Sequence, residues 1–159
     1  MNIAIVGAGL TGLSAAISLR RAGHTVTIYE RSSLNNEIGA AINVPPNVGR
    51  FLLRWGLDPV RSRFVKTPGM YFMSHETLEA IPNMRTDHTR NVELYGAPLY
   101  YAHRVDLHEA LKGLAVGEGV GVPAVVRVRS EVLGYVSLLM SSSLHLLISM
   151  VWFVVIDIM

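Results

Sequence analysis

The sequence predicts an α/β fold built on a parallel sheet, and three observations carry that prediction. Residues 3–6 are a short continuous apolar run, the pattern of a strand buried on both faces. Gly7, Gly9 and Gly12 follow at once, and Leu10, Leu13, Ala16 and Ile17 then recur at helical spacing. Residues 25–29 return to β-branched and aromatic types, which favour a strand. Strand, glycine turn, helix and strand together make one βαβ unit.

Each element has its own local reason. Arg20 and Arg21 suit the C-terminal end of the first helix through the helix dipole, and Gly23 suits the position just past it. Residues 31–44 read as a loop with a Gly-Ala-Ala stretch. Pro45-Pro46 opens a second helix that Gly56 ends, with Val48, Phe51, Leu52 and Trp55 as its inward stripe. Residues 64–82 hold strand-like pieces broken by Pro68-Gly69 and Pro82, and residues 83–98 read as a polar loop. Residues 99–102 suit a strand. A third helix starts near Arg104, with Asp106 in its first turn and Leu107, Leu111 and Leu114 inward. Residues 117–123 read as a turn, and residues 124–132 as a strand with Arg127 and Arg129 on one face.

Composition narrows the function classes. A chain of 159 residues has room for one ordinary domain. The net charge is +2 and the basic residues are scattered, without the aromatic-interleaved stripe that nucleic acid demands. With no cysteine there are no disulfides, thiolate metal sites or cysteine nucleophiles. Residues 3–19 are mostly apolar, but no basic segment precedes them, so they read as structure and not as a signal peptide. His75-Glu76 and His108-Glu109 lack the second histidine of HExxH, and neither a P-loop nor GxSxG occurs, so no metal site and no catalytic residue is assigned.

The glycine spacing Gly7-x-Gly9-x-x-Gly12 is a dinucleotide fingerprint when a strand precedes it and a helix follows. The first glycine permits the tight turn, the second admits a pyrophosphate to the backbone, and the third lets helix and strand pack closely. The diphosphate then meets the free N–H groups of the helix N-terminus. Glu30 ends the second strand, where a carboxylate accepts hydrogen bonds from ribose hydroxyls and disfavours a 2′-phosphate. FAD and NAD both use such a turn, and the turn alone does not separate them.

From residue 1 to about residue 133 the chain resembles the class A flavoprotein aromatic hydroxylases, the salicylate-hydroxylase-like FAD-dependent monooxygenases. The likeness rests on the glycine fingerprint with Ala16, Gly23 and Glu30-Arg31, on Glu37-Ile38-Gly39-Ala40-Ala41-Ile42, and on Asn43-Val44-Pro45-Pro46-Asn47 with Arg50 and Trp55-Gly56-Leu57. Arg104-Val105-Asp106-Leu107-His108 adds a further motif. It implies a Rossmann-type, glutathione-reductase-like FAD-binding fold, with FAD as cofactor, NAD(P)H as transient reductant and a small aromatic molecule as substrate. By the same resemblance Gly7, Gly9, Gly12, Glu30 and Arg31 form the adenosine end of the FAD site. Gly39 and Ala41 match a loop beside the flavin, and Arg104 matches an arginine that reaches the diphosphate. Arg104 stands at the positive end of a helix, which is unfavourable for a cation unless an anion lies nearby. Arg50 fits either a solvated helix face or the site.

The resemblance also shows what these residues do not contain. The family's Asp-Gly segment and its later Gly-Asp-x-x-H-x-x-x-P segment are both missing, and only residues 64–82 suit the substrate-side sheet. The expected organisation is a partial FAD-binding domain over residues 1–133 followed by a divergent apolar tail, residues 134–159. Residues 138–156 hold no Asp, Glu, Lys or Arg. They are long enough for the ~30 Å of a bilayer core, with Arg127 and Arg129 before them and Asp157 after. That arrangement would anchor a cytoplasmic domain, although Ser141, Ser142, Ser143 and His145 interrupt the run. The tail alternatively packs as a helix or strand pair on the unfinished sheet. It is otherwise translated non-coding sequence behind a truncated domain that is inactive alone, and the abrupt end of the resemblance favours this last reading. The rival function classes are a non-catalytic or membrane-tethered nucleotide-binding remnant and an NAD-dependent dehydrogenase fragment.

Overall fold

The computed structural model describes residues 1–34, 39–134 and 152–155. The chain divides into two compact units, Met1–Glu37 with Leu111–Met159, and Ile38–Ala110. In the first, β1 (Asn2–Val6) leads through the glycine turn into α1 (Leu10–Arg21), and β2 (Thr25–Tyr29) returns parallel to β1, with Ile3 opposite Val26 and Ile5 opposite Ile28. Ile3, Ile5, Val26 and Ile28 are buried against Leu13, Ala16 and Ile17 of α1 and its neighbours in the core. Gly23, at φ +85°, reverses the chain after α1, as its place in the sequence predicts.

The second unit begins with β3 (Ala41–Val44), where the sequence reading expects only loop. Its partner, antiparallel, is the distant segment Tyr100–His103, so nothing local announces the pairing. Next comes α2 (Pro46–Trp55), ended by Gly56 in the left-handed conformation. Its inward face differs from the apolar stripe read from the sequence. Gly49 and Leu52 are buried, while Val48 and Phe51 stay exposed. At Gly49 the helix approaches Ala97 and Pro98 so closely that even a methyl group there would be in van der Waals contact with both. Phe51 is instead flanked by the guanidinium groups of Arg50 at 5.0 Å and Arg54 at 5.6 Å.

After β4 (Val65–Lys66) the chain forms the antiparallel hairpin of β5 (Gly69–Met73) and β6 (Ala80–Asp87). Residues 83–98, read as a polar loop, hold the end of β6 and a helix, α3 (His88–Tyr95). The Asp87 side chain caps that helix by accepting from the N–H groups of Thr89 and Arg90, and Gly96 ends it at φ +75°. Then β7 (Tyr100–His103) pairs with both β3 and β4. Tyr100, Leu99, Val44 and Leu52 are core residues of this unit, and Phe64 meets the Tyr100 ring edge-on at 5.8 Å.

The helix α4 (Arg104–Val116) follows directly, with Leu107, His108, Leu111 and Ala115 buried and Leu114 only half-buried. Its C-terminal end is held by Arg20 of α1, a residue only 2% exposed. The Arg20 guanidinium donates to the carbonyls of Leu114, Ala115, Gly117 and Gly121 at 2.7–3.0 Å. Arg20 thus serves the end of α4 more than that of its own helix. Next, β8 (Val125–Arg127) joins β2 in parallel and is shorter than the strand read over residues 124–132, because Arg129 turns at φ +53°. Finally β9 (Trp152–Val155) pairs in parallel with β1, which gives a four-stranded sheet of order β8-β2-β1-β9. The apolar-tail reading falls mostly on residues 135–151 and 156–159, outside the described residues. Among the described residues no helix is long and apolar enough to cross a membrane.

Candidate nucleotide site

The site begins where β1 ends. Gly7 sits at φ +95°, a conformation that suits glycine, and its N–H donates to the Tyr29 carbonyl at 2.8 Å. Gly9 is the N-cap of α1 with φ −73° and ψ −177°, a backbone any residue could adopt. Gly12 is buried, and a Cβ there would overlap the Gly7 carbonyl oxygen and lie 3.4 Å from Ile5 Cγ2. The third glycine therefore permits the close helix–strand packing read from the spacing. α1 has no side-chain cap and no acidic residue in its first turn. Its leading N–H groups thus have no carboxylate of this helix to compete with an incoming anion.

Glu30 stands beside this turn. Its Oε2 accepts the Ala8 N–H at 2.8 Å and its Oε1 accepts the Ser32 N–H at 2.8 Å. Partial burial pushes its pKa up. The hydrogen bonds from Ala8 and Ser32, with the nearby charge of Arg31, outweigh that and leave it below the usual carboxylate value. A carboxylate offers about four lone-pair sites, and the backbone donors of Ala8 and Ser32 with the Ser32 side chain leave capacity for a further hydroxyl. The backbone of Glu30 is braced by the segment after β8. Its N–H donates to the Arg127 carbonyl at 2.8 Å, and the Ser130 N–H donates to its carbonyl at 2.9 Å. The sequence reading saw Arg127 and Arg129 as a strand face and missed this bracing role. Arg31 is exposed next to Glu30.

Gly39, Ala41 and Arg104 gather in the second unit. Ala41 pairs with His103, and the Arg104 N–H donates to the Ala40 carbonyl at 2.9 Å. The stretch that carries Gly39 therefore lies against the start of α4. Asp106, in the first turn, pairs with Arg63. Arg50 lies on the exposed face of α2 with its guanidinium over Phe51, the solvated-face arrangement. The fit to an adenine dinucleotide thus rests on the uncapped α1, on the packing at Gly12 and on the free capacity of Glu30.

This chain is similar to known proteins in sequence and in fold. Residues 5–43 match the NAD(P)-binding Rossmann-like domain. The FAD-dependent monooxygenase cfoG of Aspergillus candidus is 53% identical over 136 residues, which are 85% of this chain and 31% of that protein. Over those residues this chain is similar to an FAD-dependent monooxygenase. Hispidin-3-hydroxylase of Neonothopanus nambi is another relative, 39% identical over 83% of this chain and 31% of its own length. Among solved structures, 2-methyl-3-hydroxypyridine-5-carboxylic acid oxygenase superposes with a TM-score of 0.61 at 28% identity, covering 82% of this chain and 32% of that one. Klebsiella pneumoniae HpxO, complexed with FAD and uric acid, gives 0.56 at 26% identity over 70% of this chain and 28% of its own. This chain spans about a third of the length of the curated relatives it matches. The Rossmann-type α/β fold expected from the βαβ unit is the fold found.

Proposed function

We propose that this chain binds FAD through its glycine turn and Glu30, as the adenosine-binding part of a monooxygenase that hydroxylates a small aromatic molecule. The observation that carries the reading is the Glu30 carboxylate, fixed by two backbone N–H groups beside an uncapped helix N-terminus. In this reading Gly7, Gly9 and Gly12 give the diphosphate access to the backbone of the turn. Glu30 receives the ribose hydroxyls, and the exposed Arg31 adds positive charge nearby. Bound FAD would supply the electron exchange with NAD(P)H and O2, and the protein supplies binding, orientation and electrostatics. The cytoplasm is the compartment this reading proposes.

Titration of the purified chain with FAD, NAD and NADP tests the reading. FAD should bind most tightly and NADP least, because a 2′-phosphate meets the Glu30 charge. Glu30→Ala should weaken FAD by about 1–3 kcal/mol, the cost of leaving polar partners unpaired. Tightest binding by NADP, or an unchanged affinity in Glu30→Ala, would exclude this site.

A further inference from the structure

Arg127 stands opposite Tyr29 in the β2–β8 register, and its carbonyl accepts the Glu30 N–H at 2.8 Å. A parallel ladder repeats its bonds at every second residue. Continued regularly, it would bring the Arg129 N–H to the Glu30 carbonyl and the Ser32 N–H to the Arg129 carbonyl. The chain departs from that order at Arg129. The Arg129 N–H donates to the Ser32 carbonyl at 3.1 Å, and the Ser130 N–H takes the Glu30 carbonyl at 2.9 Å. The Ser32 N–H donates to Glu30 Oε1 at 2.8 Å. Arg129 lies at φ +53°, a conformation that is uncommon and costly for a residue with a side chain. Strands use a left-handed residue of this kind to insert a kink, ordinarily with glycine. Arg129 is exposed, and Glu30, Ser32 and residues 127–130 all belong to one compact unit.

We propose that Arg129 is a positioning residue for the nucleotide site and acts through its backbone. Its left-handed conformation shifts the ladder by one residue. That shift releases the Ser32 N–H from the sheet, and the released donor fixes the Glu30 carboxylate. The same kink holds the Glu30 carbonyl through Ser130 and the Ser32 carbonyl through Arg129 itself, so the segment that carries the carboxylate is tied on both sides. This role rests on the reading above of Glu30 as the acceptor of ribose hydroxyls. It adds a source for the geometry of that acceptor, one residue far along the chain whose backbone, and not its charge, matters.

The experiment compares the unaltered chain, Arg129→Gly and Arg129→Val, each titrated with ADP and with 2′-deoxy-ADP. The ratio of the two affinities reports on the ribose contact of Glu30 and is not moved by a general loss of folded protein. The unaltered chain should prefer ADP by about tenfold, the order expected of a hydrogen bond to a charged group. Arg129→Gly removes the guanidinium but adopts positive φ freely, so it should keep that preference. Arg129→Val, β-branched and poorly suited to positive φ, should lose most of it. Amide exchange at Ser32 should quicken in Arg129→Val and stay slow in Arg129→Gly. An unaltered chain that binds neither ligand, or that shows no preference between them, overturns the reading of the nucleotide site. A preference that survives in Arg129→Val overturns this inference alone. So does a preference lost in Arg129→Gly, which would assign the effect to the guanidinium, and that result is readable even where valine prevents folding. Ser32 exchange that is equally slow in Arg129→Val, or that quickens in Arg129→Gly, overturns the inference whether or not any nucleotide binds.

Discussion

Glu30 is the residue on which the site turns, and its ionisation is tied to its geometry. The carboxyl is held below its ordinary value because the donors from Ala8 and Ser32 and the Arg31 charge outweigh partial burial. A depressed folded-state pKa means that the ionised form is favoured by folding. The stability it adds is fully present above the unfolded-chain value of about 4.3 and is lost as pH falls through the lower folded value. Urea unfolding from neutral pH down to about pH 3 should therefore show a loss of stability that begins below about pH 4.5, near the unfolded-chain value. Glu30→Gln should flatten that limb, and an identical acid limb in the variant would show that Glu30 does not couple to folding. The close packing at Gly12 and the place of Glu30 beside the glycine turn were legible in the sequence because both follow from spacing along one βαβ unit. Ser130 was not, since its N–H acts on the Glu30 carbonyl from far away in the chain.

At the scale of elements, the ones read correctly carry local signals. α1 has helical periodicity between two glycines, and Pro46 and Gly56 frame α2. The elements missed divide by cause. β3 depends on a partner nearly sixty residues later, whereas α3 had a signal in Asp87 and Gly96 that the polar composition of residues 83–98 obscured. Arg20 illustrates how a correct local argument can serve another element. Its charge suits a helix C-terminus, but the end it satisfies is that of α4 and the turn after it. Arg20→Met should remove the donor while keeping the apolar stem. The four carbonyls would then lose a charged partner, and a loss of about 1.5–3 kcal/mol in urea unfolding is expected. Amide exchange in residues 117–124 should quicken as well, since the Ala124 N–H bonds the Ala115 carbonyl within the same region. Unchanged stability would mean that solvent replaces the guanidinium without cost.

For the whole molecule, the nucleotide-binding unit is assembled from both ends of the chain, Met1–Glu37 and Leu111–Met159. The sequence reading offered the tail as a bilayer span, a packed element or an unrelated extension. The four described tail residues occupy a sheet position, with Trp152 opposite Ile3 and Val155 opposite Val6. That position is the edge of β1 next to the glycine turn, and an uncovered edge exposes a row of unpaired N–H and C=O groups. A chain that ends at residue 133 tests whether the pairing matters. Hydrogen exchange would be compared between this shorter chain and the full one, residue by residue along β1 and β2. In a parallel ladder the amides of a strand point alternately to its two neighbours, so every second amide of β1 should lose protection on deletion. The amides directed to β2 should keep theirs, and so should the Gly7 N–H that bonds Tyr29. ADP affinity should also persist, because the contacts of Glu30 come from Ala8, Ser32 and the segment after β8, none of which lies in the tail. The shorter chain should self-associate more readily through its open β1 edge. Unchanged protection along β1 would show that the tail contributes nothing to the sheet in solution, and residues 1–133 would then be the whole of the folded unit.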